Sequence, residues 1–112
     1  MADLSKIKAE FAASSNFLVA LGDEKRQAIL VALMADRACQ GVRVSELTEA
    51  TQLSRPAISH HLKILRDAKL IDYRSEGTKN FYYIVHETTE INQLQQLLGD
   101  VVQAMTTEDQ ND

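Results

Sequence analysis

Residues 54–66 place the strictest limit on what this chain can fold into. The segment reads Ser-Arg-Pro-Ala-Ile-Ser-His-His-Leu-Lys-Ile-Leu-Arg, and Ile58, Leu62 and Leu65 recur in it at intervals of four and three residues. This spacing puts three apolar side chains on one face of a helix and leaves small, polar and cationic side chains elsewhere. Small residues let a helix sit deep in the major groove of DNA, while Ser, His, Arg and Lys offer donors to base edges and phosphates. The segment therefore predicts a short helix that docks on nucleic acid.

The distribution of charge favours the same interpretation, although the chain as a whole is acidic. The formal net charge is −4, but residues 54–80 carry six Lys or Arg and three Asp or Glu, a local net charge of +3. Residues 86–112 contain six acids and no Lys or Arg. A polyanion responds to the local potential, so a basic surface on an acidic body can still bind DNA.

Length and composition indicate one globular domain. The chain has 112 residues, of which 45% are hydrophobic and 25% charged, enough for a modest core. The longest apolar run, residues 28–35, is too short to span a membrane, and the N-terminus lacks the apolar centre of a secretion signal. A single cysteine excludes an internal disulfide, and we expect a cytoplasmic protein.

Hydrophobic periodicity predicts five helices, several of them preceded by Ser or Asp caps. The predicted helices cover residues 3–21, 24–37, 46–51, 55–68 and 87–105. The second is apolar nearly all round, which predicts the central core helix. Residues 106–112 are polar and acidic, which predicts a frayed tail.

A hairpin is predicted after the fourth helix. Residues 70–74 and 80–85 are rich in β-branched and aromatic side chains, and the loop between them, residues 75–79, contains Gly77 for a positive φ angle. Residues 42–44 predict a brief edge strand. Two short helices joined by a tight turn at 52–54 predict a helix-turn-helix, and a hairpin directly after it is a wing. The predicted fold is mainly α with a small β-hairpin wing, a winged helix-turn-helix in one domain over residues 1–105.

Four segments carry a resemblance to a known family. They are Leu-Gly-Asp-Glu-Lys-Arg-Gln-Ala-Ile-Leu at 21–30, Val-Ser-Glu-Leu at 44–47, the segment 53–71 that contains the docking helix, and Phe-Tyr-Tyr at 81–83. In their order and spacing the chain resembles the ArsR/SmtB family of bacterial winged-helix repressors. The resemblance implies a homodimer in which the first and last helices form the subunit contact and the fourth helix reads operator DNA.

The metal sites of that family do not carry over to this chain. One type of site uses cysteines at the start of the third helix, but residues 44–48 contain no thiol. The other type uses Asp and His near the start of the last helix and further ligands about three turns later, where only Asp100 is a candidate. We therefore expect no metal and no cofactor; a novel site with His86, Glu87 and Glu90 is the alternative.

Candidate DNA-binding residues lie on the fourth helix and beside the hairpin loop. Ser54 suits a phosphate at the helix N-terminus, and Arg55, Ser59 and His60 suit base edges. His61 and Lys63 are expected at the DNA backbone or neighbouring side chains. The candidates are Ser54, Arg55, Ala57, Ser59, His60, His61, Lys63, Arg74 and Lys79. A solvated helix face, and edge-strand charge that prevents aggregation, are the alternative interpretations.

Candidate dimer-interface residues form apolar seams on the first and last helices. They are Ile7, Phe11, Leu18, Ile91, Leu94, Leu98, Val101 and Met105. Packing within one chain is the alternative, but a dimer suits a two-fold operator.

The sequence thus predicts a homodimeric transcriptional regulator, in the first place a repressor, which binds an inverted repeat in double-stranded DNA. The alternatives are a winged-helix adaptor that binds protein, an anti-repressor, or a sensor with an unusual metal or thiol site. No phosphate loop, nucleophile elbow or paired Cys/His constellation stands out, so we do not expect an enzyme. Cys39 is interpreted as a loop residue, and the inducer is unknown.

Overall fold

The computed structural model describes the backbone of residues 4–110 and the side chains of residues 4–106. Its elements are α1 (Leu4–Ala13), α2 (Ser15–Leu21), α3 (Glu24–Met34), α4 (Val44–Thr51), α5 (Arg55–Asp67), β1 (Ile71–Glu76), β2 (Lys79–Ile84) and α6 (Thr89–Gln110). They form two compact units. Of the described residues, 4–15 and 87–110 form the terminal unit, and 16–86 form the central unit.

In the terminal unit α1 packs against α6. Leu97 of α6 is fully buried, whereas Phe11 of α1 is 48% exposed. An ion pair joins the two helices, because Lys6 Nζ lies 3.3 Å from Asp100 Oδ2. In the part of the chain that the structure describes, no helix has the length and apolar character to cross a bilayer.

The single helix predicted over residues 3–21 is wrong, because the helix is interrupted at Ser14. Asp3, the first residue of that predicted helix, lies outside the described residues. The backbone N–H of Ser14 is shared between the carbonyl oxygens of Glu10 and Phe11, at 3.0 and 3.2 Å. The Ser15 hydroxyl also donates to Phe11 O at 3.0 Å. A serine hydroxyl that bonds to the preceding turn disturbs the helical ladder, and the Ser15 hydroxyl does so where α1 ends.

The last helix starts later and continues further than the predicted residues 87–105. Glu87 Oε1 accepts a hydrogen bond from Thr89 N at 2.7 Å, which places Glu87 before the first turn. Helix α6 then runs to Gln110, so most of the predicted frayed tail is helical. The last two residues of that tail lie outside the described residues.

The core of the central unit lies where α3, α4, α5 and β1 meet. The buried residues with the least exposure include Ile29, Leu33, Leu47, Ile58, Leu62, Leu65 and Ile71. Helix α3, the predicted core helix, contributes Ile29, Leu30 and Leu33 to this core, but its Val31 and Met34 remain 65% and 59% exposed. Its packing partners α4, α5 and β2 cover only one side of the helix, and it ends at Met34 rather than at residue 37.

The two-helix motif forms as predicted, with shifted boundaries. Helix α4 starts two residues before the predicted residue 46, because Glu46 turns its carboxylate back to accept from Arg43 N at 2.8 Å. Gln52 ends α4 in the left-handed conformation, with φ of 63°. Lys69, with φ of 64°, follows the end of α5 in the same conformation. After the tight turn between α4 and α5, the start of α5 lies near the start of β2, since Arg55 and Lys79 line the same cavity.

The hairpin is longer than predicted and its loop is shorter. Strand pairing continues from Ile71 opposite Ile84 as far as Glu76 opposite Lys79. Only Gly77 and Thr78 remain in the turn, so the predicted loop 75–79 is wrong. Of the edge strand predicted over 42–44, the structure has a single bridge, in which Val42 exchanges backbone hydrogen bonds of 2.8 and 2.9 Å with Tyr82.

Gly41 precedes the Val42 bridge and lies close against the hairpin. We expect Gly41→Ala to destabilise the protein by at least about 2 kcal/mol. Its φ is +100°, and an added Cβ would lie 2.5 Å from Phe81 Cβ. Gly77→Ala is the matched control, because Gly77 also has positive φ, +64°, but has no heavy atom within 4 Å of the added Cβ. The control should lose about 1–2 kcal/mol. Urea unfolding of both variants measures the difference, and equal losses would contradict the steric account.

Candidate nucleic-acid interface

Helix α5 presents an apolar face to the core and a polar face to solvent. Arg55, Ser59 and Lys63 follow each other at intervals of four residues and are all exposed, as is His60. Ser54 caps the helix, with its Oγ accepting from Ala57 N at 3.3 Å. These side chains have the exposure that base or phosphate contact requires, so the candidates on this face stand as predictions.

His61 is the candidate that the structure places differently. It is only 8% exposed, because it follows Ile58 by three residues and precedes Leu62, and so falls on the buried side of α5. Its Nδ1 lies 3.2 Å from Arg26 Nη1 of α3. A guanidinium group can only donate, so Nδ1 accepts and the ring carries its proton on Nε2. His61 thus contacts a neighbouring side chain inside the protein, which is one of the two locations expected for it.

Arg26 extends this contact into a buried network. It is also 8% exposed, and its Nε and Nη2 donate to the carbonyl oxygens of Ala20 and Val19 at 3.0 Å each. The guanidinium therefore ties the end of α2 to α5 through His61. Burial lowers the pKa of His61; Asp23 opposes this effect, while Arg26 and other neighbouring cations reinforce it. The neutral imidazole that the hydrogen bond requires is thus the favoured form.

The same turn of α3 carries the predicted cap. Asp23 Oδ1 accepts from Lys25 N at 2.8 Å and from Arg26 N at 3.1 Å. The hydrogen bond from Arg26 N is the main cause that lowers the pKa of Asp23 below its ordinary value. The cap that the sequence predicted at residue 23 is confirmed.

Arg74, a candidate for phosphate contact, is held within the central unit. Its Nη2 donates to Gln40 O, its Nε lies 3.9 Å from Glu76 Oε2, and its guanidinium carbon lies 5.1 Å from the centre of the Phe81 ring. These contacts direct the guanidinium toward the Val42 bridge, which the sequence pattern did not indicate. The Arg74 side chain remains 44% exposed, so its contact with a phosphate stays a prediction.

Lys79 lines a cavity of about 130 Å³ where the first turns of α4 and α5 meet the hairpin. The lining residues are Arg43, Val44, Ser45, Arg55, Thr78, Lys79 and Asn80. Arg43, Ser45 and Thr78 were not among the predicted contacts. Residues 43 and 79 are far apart in the sequence, and no local pattern indicates that they meet.

The structure also brings Cys39 and His86 together, although no Cys/His pair was expected. Cys39 Sγ lies 3.2 Å from His86 Nε2, 47 residues away in the chain. Among the described side chains no group of three or more His, Cys, Asp or Glu could hold a metal ion.

Burial and the neighbouring Asp100 carboxylate raise the pKa of Glu10, while Asp100 is also paired with Lys6. Asp100 is thus engaged within the α1–α6 contact.

The predicted dimer-interface residues divide between the two units. In the terminal unit, Phe11, Ile91, Leu98 and Met105 are exposed, and Ile7, Leu94 and Val101 are half-buried. Leu18 is a half-buried residue of α2 in the central unit. Leu4 and Val102, which are 68% and 61% exposed, add to the apolar surface of the terminal unit and were missed.

Comparison with known proteins identifies the family. The model of the bacterial regulatory protein arsR family matches residues 23–73. The chain is 38% identical over 80 residues to the arsenical resistance operon repressor of Staphylococcus xylosus, covering 70% of this chain and 73% of the relative. It is 41% identical over 68 residues to an HTH-type transcriptional regulator of Methanocaldococcus jannaschii, covering 61% of this chain and 73% of the relative.

A solved structure agrees with these sequence relatives. An ArsR-like transcriptional regulator from Rhodococcus sp. RHA1 superposes with a TM-score of 0.70 at 27% identity, covering 89% of this chain and 84% of that one. The chain belongs to the arsR family of bacterial regulatory proteins, a family of transcriptional regulators. The predicted family and the predicted winged-helix fold are confirmed.

The Arg26–His61 contact predicts a stability that depends on pH. The pKa of His61 is lowered in the folded protein, whereas an unfolded histidine titrates near about 6.5. As the pH falls below this value the unfolded chain takes up the proton first, so folding stability decreases. We expect the Tm to drop by several degrees between about pH 7.5 and about pH 5.5.

His61→Asn separates this effect from general acid sensitivity, because the Asn amide oxygen can accept from Arg26 but does not titrate in this range. The variant should show a shallower dependence of Tm on pH than the wild type. His60→Asn is the matched control, since His60 is the exposed neighbour on the same helix, and it should keep the wild-type dependence. An unchanged dependence in His61→Asn would refute the assignment.

Proposed function

We propose that this protein is a cytoplasmic, homodimeric repressor that binds an inverted-repeat operator in double-stranded DNA. Each subunit inserts α5 into a major groove, while the β1–β2 hairpin contacts the DNA backbone beside it. The observation that carries this proposal is the exposed face of Arg55, Ser59, His60 and Lys63 on a helix whose opposite face is fixed in the core.

The charge of the central unit supports the choice of DNA as the partner. Residues 54–80 carry a net charge of +3, although the complete chain carries −4. Lys63 and Lys79 are both exposed. Cations on this surface would displace counterions from the duplex, so affinity should fall steeply as salt rises. A protein adaptor would not require such a concentration of positive charge.

The terminal unit supports the proposal of a dimer. Ile91, Leu98 and Met105 are spaced seven residues apart on α6 and are 43%, 54% and 63% exposed. Such a seam is typical of a helix that packs against another helix. A two-fold dimer that covers it would present two copies of α5, which requires half-sites about one helical turn or a multiple apart. In this proposal, residues 1–105 serve as one DNA-binding and dimerisation domain.

The assignment of α5 predicts the effect of removing its polar side chains. Selection from random duplex DNA supplies the operator, and a mobility-shift titration then compares the variants. His60→Ala should weaken operator binding about 5- to 150-fold, the range that one good base contact contributes, and Arg55→Ala should weaken it as well. Lys25→Gln, which changes an exposed cation of α3, should retain wild-type affinity. Unchanged affinity in the double variant Arg55→Ala, His60→Ala would refute the assignment.

The proposed dimer predicts a different variant. Leu98→Glu places a charge in the exposed seam, where burial against a second copy would cost several kcal/mol unless the charge were paired. We expect a dimer-to-monomer shift in sedimentation equilibrium at micromolar concentration. Gln95→Glu introduces the same charge at an exposed polar position of α6 and should leave the dimer intact. A wild-type protein that sediments as a monomer would contradict the proposal.

A further inference from the structure

We infer that the cavity between α4, α5 and the hairpin seats one phosphate of the DNA backbone, with Arg43 as a ligand that the sequence did not indicate. For brevity we call this cavity the phosphate notch; it is lined by Arg43, Val44, Ser45, Arg55, Thr78, Lys79 and Asn80. The inference rests on the proposed function, since it names the part of the duplex that this surface holds.

Three cations reach the phosphate notch from three different elements. Arg43 immediately precedes α4, Arg55 is the first residue of α5, and Lys79 is the first residue of β2. Their convergence therefore depends on the packing of the central unit and not on a run of basic sequence. Three positive charges around a cavity of about 130 Å³ create a strong local preference for an anion.

The protein does not neutralise these charges itself. Among the described residues, no carboxylate lies within 4.0 Å of the cationic groups of Arg43, Arg55 or Lys79. Two other arginines of the central unit do have such partners, because Arg66 faces Asp72 at 4.0 Å and Arg74 faces Glu76 at 3.9 Å. Among the described residues the fold thus forms ion pairs at Arg66 and Arg74 but none within 4.0 Å at the three cations of the notch.

The remaining polar groups of the phosphate notch also suit an oxyanion. Ser45 and Thr78 line it with hydroxyl groups that can donate. Asn80 Oδ1 already accepts from Ser75 Oγ at 2.7 Å, so its amide nitrogen is the group left to donate. Glu46, an acid in the first turn of α4, is not among the lining residues, and its carboxylate accepts from Arg43 N at 2.8 Å. Donors and cations without an acceptor carboxylate exclude a metal ion as the occupant.

The position of Arg55 favours a phosphate of DNA over a free phosphate ion. Arg55 lines the phosphate notch and also begins the exposed face that continues through Ser59 and Lys63. A duplex whose major groove receives this face must pass its backbone close to the start of α5. One phosphodiester would then enter the notch while the bases meet Ser59 and His60, so the notch would fix the register of α5 without reading sequence.

The salt dependence of binding tests this inference. Kd is measured at several salt concentrations for the selected operator and for an unrelated duplex, with wild type, Arg43→Gln and Lys79→Gln. Each lost phosphate contact should reduce the slope of log K against log salt by about 0.9. We expect this reduction in both variants, with a similar loss of affinity on both duplexes. His60→Ala should weaken operator binding selectively, and Lys25→Gln should change neither quantity.

A conservative variant, Arg43→Lys, distinguishes the loss of the positive charge from a failure to fold. Arg43→Lys keeps the cation and should retain most of the wild-type slope, while circular dichroism and the Tm report whether each variant is folded. If Arg43→Gln does not fold, Lys79→Gln provides the same test from the hairpin. A folded Arg43→Gln with the wild-type slope, or one that loses operator binding alone, overturns the inference while the proposed function stands. A wild type that binds neither duplex overturns both.

A free phosphate ion is the alternative occupant of the phosphate notch, and inorganic phosphate is the probe that tests it. Amide chemical shifts of Thr78 and Lys79 are followed during a phosphate titration of wild type and Arg43→Gln. Weak binding that does not displace DNA at millimolar phosphate supports the backbone assignment. Saturable binding at micromolar phosphate that releases the duplex, and is lost in Arg43→Gln, would overturn it and identify free phosphate as the ligand.

Discussion

The burial of one face of α5 is the constraint on which the DNA-facing surface depends. Ile58, Leu62 and Leu65 are at most 1% exposed, and burying a side chain of this size stabilises the fold by about 1.5–3 kcal/mol. Because the helix advances about 100° per residue, this burial determines the direction of every other side chain on it. A rotation by one residue that turned Ser59 inward would move Ile58 and Leu65 away from the core. The apolar contacts thus orient the polar groups that meet solvent.

A buried polar contact secures the same helix at its edge. Arg26 bonds to two carbonyl oxygens of α2 and to His61 of α5, so a single guanidinium joins three elements of the central unit. A buried guanidinium is costly unless its donors are satisfied, and these bonds satisfy it only in one placement of the helix. The contact adds directional control to apolar packing, which by itself tolerates small rotations and shifts.

The two units carry different surfaces. The central unit concentrates cations at the start of α5 and at the hairpin turn, where Arg43, Arg55 and Lys79 share one cavity. The terminal unit exposes an apolar seam on α6 and contributes acids such as Glu90 and Asp100. This separation explains how a chain of net charge −4 can carry a surface suited to a polyanion. The surface proposed to bind DNA thus belongs to the central unit, and the one proposed to pair subunits belongs to the terminal unit.

Local sequence determined much of the secondary structure and the polarity of α5. Helix caps, apolar spacing and β-branched runs act between residues a few positions apart, so Asp23, Ser54 and the two strands were predictable. The same local reasoning failed at Ser14, where the helix is interrupted next to the Ser15 hydroxyl that donates to Phe11 O. It also failed at the hairpin, where cross-strand pairing shortened the loop.

Only the tertiary structure decided which side chains remained available for binding. It buried His61 against Arg26, held Arg74 beside Gln40 and Glu76, and brought Arg43 to Arg55 and Lys79. These residues are separated by up to about three dozen positions, and their meeting depends on how α3, α4, α5 and the hairpin pack together. The sequence by itself identified the helix that faces the solvent, because helical periodicity is local. The set of free cations follows from long-range packing, which no local pattern contains.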